Sequence, residues 1–118
     1  YRDSSQAGLY RMRYEVYVTD KASRQLESAA RWWAKNRSVE QAQRWYDGFV
    51  AAIRSLARNP ERFPLAPESD AFPIEMRQLT YGLGLKKTHR AVFAVRPDRV
   101  VVYAVRHLAQ DEITTDDL

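Results

Sequence analysis

The chain has 118 residues, of which 45% are hydrophobic and 29% charged, with a formal net charge of +4 and no cysteine. This length and composition fit one globular domain with a modest core and exclude a disordered chain. The lack of cysteine excludes a disulfide framework and thiolate metal sites, and no apolar run approaches the roughly 20 residues that span a bilayer. No secretory signal is visible, so we expect a cytoplasmic protein with no membrane partner, no metal and no cofactor.

The first eleven residues differ from the rest of the chain. They show no hydrophobic periodicity, and a methionine, Met12, follows them directly. We therefore interpret residues 1–11 as an N-terminal extension, either the remnant of an expression tag or a disordered arm. Residues 12–118 are then the folded domain. An alternation of apolar and polar side chains over residues 12–18 predicts its first strand.

Two amphipathic helices are predicted after this strand. The pair Thr19-Asp20 offers an N-cap for the first, which extends to about residue 36. Ser38 and Gln41 have the spacing of a capping box at the start of the second, and Asn59-Pro60 ends it because proline disfavours helical geometry in the residue before it. The short connection predicts an antiparallel helical hairpin. Its apolar stripes contain Ala22, Leu26, Ala29, Ala30, Trp33, Ala42, Trp45, Phe49, Ala52, Ile53 and Leu56.

Three further strands are predicted after a proline-rich connection. They cover residues 74–81, 88–96 and 99–106, with a turn at 82–84 and another at Pro97-Asp98, where proline presets the first φ angle of a tight turn. The resulting order is β-α-α-β-β-β. It predicts an α+β fold in which the helical hairpin packs on a mainly antiparallel four-stranded sheet.

Two apolar features exceed what this fold can bury. Residues 91–95 and 100–105 are apolar on both faces of their strands, whereas a two-layer domain covers one face of its sheet with helices. An uncovered apolar face usually marks a partner site, so we expect a partner chain there; the alternative is that the proline-rich connection or the N-terminal arm covers it. Trp32 and Trp33 are adjacent and cannot both be buried by one helix face, which leaves one for a partner.

Basic side chains are concentrated in the same half of the chain. Residues 74–107 carry seven basic and two acidic side chains, whereas the residues after His107 carry four acidic ones and neither Lys nor Arg. Such a surface suits phosphates or an acidic protein, although it can also be no more than a solvated face. The candidate target-binding residues are Arg77, Lys86, Lys87, His89, Arg90, Arg106 and His107.

Several short motifs, in this order, resemble the RelE/ParE superfamily of toxins over about residues 12–113. They are the A-x-x-x-L pattern of the first helix, the I-x-x-L-x-x-N-P ending of the second, and the segments MRQL, HRAVFAV, VVVYAVRH and HLAQDEI. The resemblance implies the toxin component of a type II toxin–antitoxin system, which inhibits growth through an essential target. It also implies a cognate antitoxin whose C-terminal segment wraps the toxin in a hetero-oligomer, which would account for the doubly apolar strands.

The superfamily leaves two targets open. RelE-like members cut messenger RNA in the ribosome without a metal, which requires a base, an acid and cations around one phosphate. Arg77, Arg90 and His107 are the catalytic candidates if this chain is such a nuclease. ParE-like members inhibit DNA gyrase. Residues 109–112 (AQDE) replace the terminal arginine and tyrosine of the nucleases, and the helical hairpin is long, so the resemblance favours the ParE-like function without catalysis. A non-toxic nucleic-acid-binding module is a further alternative.

The candidate side chains also have structural interpretations. Arg77 can pair with Glu75 or with the acidic tail, and an arginine on a strand is more often a salt-bridge partner than a phosphate ligand. His107, at the end of a strand, is more often a structural hydrogen-bonding group than a catalyst. The sequence therefore predicts positions for a site and leaves the role of each residue open.

Overall fold

The structure, a computed structural model, describes residues 13–110 and 112–115, so the extension predicted for residues 1–11 lies outside the described residues. The order of elements is β-α-α-β-β-β, and the predicted α+β fold is confirmed. Three short 3₁₀ turns lie between the second helix and the second strand. The strands and helices are β1 (Glu15–Val18), α1 (Asp20–Asn36), α2 (Val39–Arg54), β2 (Arg77–Tyr81), β3 (His89–Val95) and β4 (Arg99–His107).

The sheet has the strand order β1-β4-β3-β2. β1 pairs with β4 in parallel, and the other two pairs are antiparallel. The register places His107 opposite His89, and His89 opposite Tyr81 at the same end of the sheet. A bulge between Val92 and Phe93 shifts the pairing of β3 with β4.

Both helices begin where their capping residues predict. Thr19 Oγ1 accepts a hydrogen bond from the Ala22 amide at 3.1 Å, and Ser38 Oγ accepts one from the Gln41 amide at 3.0 Å. These hydroxyls satisfy amide groups that have no acceptor within the helix. The caps fix where the chain enters each helix of the hairpin.

Three boundaries differ clearly from the prediction. β1 begins at Glu15 and not at residue 12. α2 ends at Arg54 and is followed by a 3₁₀ turn, and the chain then reverses at Asn59, whose φ of 47° is a left-handed conformation that asparagine tolerates. β2 begins at Arg77 and not at residue 74. The carbonyl of Met76, just before it, accepts a hydrogen bond from the Ala66 amide at 2.7 Å. This carbonyl is therefore bonded to the proline-rich connection.

The helical hairpin covers one face of the sheet. Trp45, Phe49 and Leu56 of this layer are fully buried, as is Phe93 of β3. The aromatic ring of Tyr81 stacks on Phe49 with centroids 4.8 Å apart and an interplanar angle of 12°. The main core therefore lies between the hairpin and the sheet, as the apolar stripes predict.

The other face of the sheet is covered by the chain itself, which corrects the expectation of a partner there. Phe72 and Met76 from the proline-rich connection and Ile113 from the C-terminal segment pack against Val92 and Ala104. The connection was one of the two alternatives that the sequence offered, whereas the contribution of the C-terminal segment was not predicted. Among the described residues no helix combines the length and apolarity that crossing a bilayer requires.

Candidate functional site

An open groove of about 490 Å³ lies between α1 and the end of the sheet where β3 begins and β4 ends. It has an apolar floor and wall with polar groups at the rim. This is the arrangement expected of a binding site, in which a few polar groups orient a partner over apolar surface. The residues that line it are Gln25, Ser28, Ala29, Trp32, Trp33, Arg37, Thr88, His89, Val105, His107 and Gln110.

The two tryptophans of α1 differ in their surroundings. Trp33 is half-buried and stacks on Trp45 of α2, with centroids 6.4 Å apart and an interplanar angle of 28°. Trp32 meets Trp33 edge-on at 5.8 Å and keeps 52% of its surface exposed. The expectation that one helix face cannot bury both of them is therefore confirmed. Trp33 gives the groove a rigid wall, and Trp32 leaves a large aromatic surface open.

His89 and His107 lie opposite each other across β3 and β4, with ring centroids 5.0 Å apart. His89 is buried, and its ring contacts Trp45 with centroids 4.9 Å apart. Burial, and secondarily the charge of His107, lowers the pKa of His89 from 6.5 to about 4. His89 is therefore neutral at pH 7 and forms part of the wall.

His107 is exposed, and the chain fixes its backbone and its ring. Its Nδ1 accepts a hydrogen bond from the Ala109 amide at 3.0 Å, and its own amide donates to Gln110 Oε1 at 2.7 Å. Because the Nδ1 lone pair is used, the neutral ring carries its proton on Nε2. His107 thus offers a hydrogen-bond donor at Nε2 and has no free lone pair with which to act as a base.

Arg90 lies on the opposite face of the sheet from His89 and is 6% exposed. Its guanidinium donates to both carboxylate oxygens of Glu68, at 2.8 and 2.6 Å, and to Gln78 Oε1 at 2.9 Å. The hydrogen bond from Arg90 is the main cause that lowers the pKa of Glu68 to about 2. Arg106 pairs with Arg90 in register, so its side chain also belongs to this face.

Arg77 lies at the far end of the sheet from the two histidines. It pairs with Phe93, whereas Tyr81, four residues further along β2, pairs with His89. At the usual rise per strand residue this separation is about 13 Å. Its Nη1 donates to the Phe63 carbonyl at 2.7 Å, and its Nη2 lies 3.3 Å from Glu75 Oε1. Glu75 is one of the two partners that the sequence left open for Arg77.

Lys86 and Lys87 lie on the exposed loop between β2 and β3, directly before the groove residue Thr88. A hydrogen bond of 2.9 Å from the Thr88 amide to the Tyr81 carbonyl closes this loop. A Cβ on Gly82 would lie 1.9 Å from the Lys86 carbonyl oxygen, so the loop folds back on itself and only glycine fits there. The two lysines are therefore held beside the groove.

The structure thus separates the residues that the sequence groups together. His89 and His107 line the groove and the two lysines adjoin it, whereas Arg90 and Arg106 belong to the opposite face and Arg77 to the opposite end. Sequence reasoning did not single out the other polar lining residues, which are Gln25, Ser28, Arg37, Thr88 and Gln110. The spacing of Gln25, Ala29 and Trp32 along α1 was the one signal that could have indicated a second face beside the core stripe.

Comparison with known proteins gives two findings. The family model described as "ParE toxin of type II toxin-antitoxin system, parDE" matches residues 16–112. A solved chain titled "Chromosomal ParDE TA system from P. aeruginosa" has a TM-score of 0.67 and 18% sequence identity, and the alignment covers 82% of this chain and 97% of that chain. At this identity the likeness shows the fold alone. No curated protein matches the chain.

Proposed function

Because the chain belongs to the ParE toxin family of type II toxin–antitoxin systems, we propose that it inhibits growth by binding DNA gyrase and that a cognate antitoxin neutralises it in a hetero-oligomer. The RelE/ParE resemblance of its sequence is confirmed by the same match. We assign the toxin domain to residues 12–118 and its action to the cytoplasm. In this proposal the toxin acts by binding and needs neither a metal nor a cofactor.

The observation that carries the proposal is the dispersal of the three catalytic candidates. Cleavage of RNA by its own 2′-OH requires base, acid and cation around one phosphate, within hydrogen-bonding reach. Here Arg90 and His107 belong to opposite faces of the sheet, and Arg77 lies at its far end. The dispersal therefore favours a toxin that binds its target over one that cuts RNA.

The chemistry of the individual groups supports the same choice. The guanidinium of Arg90 is enclosed with the carboxylate of Glu68, so a phosphate would have to displace a buried ion pair. His107 in its neutral form has no free ring lone pair. Of the candidate residues, Lys86, Lys87 and His107 are exposed. These donors and cations lie at or beside the groove, and they suit binding of a protein surface.

A supercoiling assay tests the proposed target. We expect the purified protein at saturating concentration to abolish negative supercoiling of relaxed plasmid by purified gyrase, and the cognate antitoxin to restore it. Undiminished supercoiling would contradict the proposal. Primer extension on translated messenger RNA tests the nuclease alternative, which requires new cuts that disappear in Arg90→Ala. Growth unaffected by expression without antitoxin would leave only the non-toxic binding module.

A further inference from the structure

We propose that the groove beside α1 is the surface through which this chain holds its target, and that it takes a short gyrase segment presenting an apolar or aromatic side chain next to a carboxylate. The inference rests on the proposed function, because that proposal names gyrase as the target. It adds the place of contact on this chain and the chemistry of the segment that fits it.

The preference for an apolar or aromatic side chain in the bound segment follows from the tryptophans. Trp32 leaves 52% of its surface open beside the groove. Tryptophans in such positions are the residues that most often dominate binding energy at protein interfaces. Trp33 is already held against Trp45, so the wall is ordered before a partner arrives and little side-chain entropy is lost on binding. An apolar or aromatic side chain is the natural complement to these rings.

The preference for a carboxylate in the bound segment follows from the polar groups at the rim of the groove. Arg37 and His107 both line the groove, and His107 offers a donor at Nε2 in its neutral form. Lys86 and Lys87 precede the lining residue Thr88 and add positive charge nearby. None of the lining residues that the structure describes is acidic. A carboxylate therefore gains favourable contacts here, whereas a basic segment is repelled.

The dimensions fit a short segment and not a folded domain. From Gln25 to Arg37 the helical rise is about 18 Å, the length of five or six residues of extended chain. A volume of about 490 Å³ accommodates a few side chains. The apolar second face of the sheet does not compete as a docking site over the described residues, because Phe72, Met76 and Ile113 already cover it.

A single-stranded nucleic acid fits the groove less well. An exposed tryptophan could stack a base, but a nucleic-acid strand also requires cations that follow its phosphates. Arg77 and Arg90 are engaged by Glu75, Glu68 and backbone carbonyls. The positive charge that remains at the groove is local and suits one or two carboxylates.

The test measures inhibition of purified gyrase by four variants. Trp32→Ala removes the aromatic surface and Arg37→Glu reverses the charge, and each should raise the concentration for half-inhibition by about tenfold or more, which equals a loss of about 1.4 kcal/mol. The matched controls are Tyr17→Ala, an aromatic that is 48% exposed on β1, and Arg54→Glu at the end of α2. Neither lines the groove, and both should stay within about twofold of the wild type, since such changes away from a contact are nearly neutral.

The outcomes separate this inference from the proposed function. Selective loss of inhibition in the two groove variants, with circular dichroism and unfolding midpoints unchanged, supports both. If the wild type inhibits gyrase and all four variants match it, the groove is not the contact, although the toxin still acts on gyrase. If the wild type does not inhibit gyrase, the proposed function fails and this inference fails with it.

A binding measurement with the antitoxin identifies a different occupant. Calorimetric titration of each variant with the cognate antitoxin shows whether the groove belongs to that partner. Loss of antitoxin binding in Trp32→Ala while gyrase inhibition is unchanged would overturn the inference. The same conclusion would follow if a labelled single-stranded oligonucleotide bound the wild type but not Trp32→Ala while gyrase inhibition stayed intact.

Discussion

Glu68 carries the most consequential single contact on the second face of the sheet. Its side chain is 2% exposed, and its carboxylate accepts hydrogen bonds from Arg90 and, at 3.0 Å, from the Ile113 amide. Glu68→Gln keeps the volume but leaves the Arg90 charge buried without compensation, so we expect the free energy of unfolding to fall by about 3–5 kcal/mol. Urea denaturation followed by circular dichroism measures this change.

The matched control for this prediction is Glu75→Gln. Glu75 also pairs with an arginine, Arg77 at 3.3 Å, but its side chain is 70% exposed. Because solvent screens such a pair, the free energy of unfolding should change by less than about 1 kcal/mol. Equal midpoints for the two variants would show that the pair of Glu68 and Arg90 is solvated and does not hold the connection to the sheet.

His89 makes stability depend on pH. Its pKa is lowered from 6.5 to about 4 in the folded protein, so between these values the unfolded chain binds a proton that the folded chain does not. The contribution of neutral His89 to the free energy of unfolding is therefore fully present above about pH 6.5. It is lost as the pH decreases towards 4, and the loss amounts to about 3 kcal/mol. His89→Phe keeps a ring against Trp45 and removes the titration.

The measurement compares urea unfolding of His89→Phe and the wild type at pH 7 and at pH 4. The difference between their free energies of unfolding should shift by about 3 kcal/mol in favour of the variant at the lower pH, for the reason just given. Other groups titrate in both proteins and cancel in this difference. A difference that stays constant with pH would show that His89 protonates equally well in the folded state.

Single residues of the site were predictable only where their chemistry is visible in the sequence. His89, His107 and the adjacent tryptophans stand out by type, and all four line the groove. Arg90 also stands out, but its partner Glu68 is 22 positions earlier, in a connection without periodicity. No local rule relates two such positions, so whether an arginine faces solvent or a buried carboxylate is decided by tertiary packing.

At the scale of elements, α2 and β2 approach each other through Gly48. A Cβ at this position would lie 1.9 Å from Tyr81 Oη, and the Tyr81 ring cannot move freely because it stacks on Phe49. Gly48→Ala gains about 1 kcal/mol of helix propensity. We expect the steric cost to exceed this gain and the free energy of unfolding to fall by about 1–3 kcal/mol.

Removing the hydroxyl should rescue this substitution. In Tyr81→Phe the nearest remaining ring carbon lies 3.0 Å from the new Cβ, so Gly48→Ala in that background should cost less than about 1 kcal/mol or stabilise the helix. A double-mutant cycle by chemical denaturation gives the coupling, expected at about 1 kcal/mol or more. Additive effects would mean that Tyr81 and the helix adjust independently.

The types of the elements could be predicted from the sequence better than their ends or the pairing of the strands. Hydrophobic periods and the hydroxyls of Thr19 and Ser38 indicated both helices and where they begin. The end of α2 was misplaced because residues 55–57 continue as a 3₁₀ turn, which has nearly the same local pattern as an α-helix. The parallel pairing of β1 with β4 is a contact between the two ends of the domain, and no local pattern encodes it.

At the scale of the whole molecule, the domain has a helical layer on one face of its sheet and a cover of its own loops on the other. The doubly apolar strands β3 and β4 are explained by this arrangement, because both faces are buried within one chain. The apolar pattern of β3 and β4 shows that both faces of the sheet need to be covered. It does not show which part of the chain covers the second face. The groove stays open because the helical hairpin does not fill the end of the sheet where β3 begins and β4 ends.

The C-terminal part of this cover is tested by Ile113→Ala. Ile113 is 2% exposed, packs in the second-face cluster, and its amide donates to Glu68. Truncation leaves a cavity against β3 and β4, so the free energy of unfolding should fall by about 2–4 kcal/mol. Thr115→Ala, at an exposed position of the same segment, should change it by no more than about 0.5 kcal/mol. Urea denaturation of the two variants and the wild type measures both changes.

Ile113→Ala also separates stability from the proposed binding of gyrase. The groove is formed by α1 and the helix-facing side of the sheet, whereas Ile113 lies on the opposite face. At a temperature where the variant remains folded, its inhibition of gyrase should therefore match that of the wild type, while its unfolding midpoint is lower. If Ile113→Ala instead loses inhibition to an extent comparable with Trp32→Ala, the two faces of the sheet are coupled and the cover contributes to recognition of the proposed target.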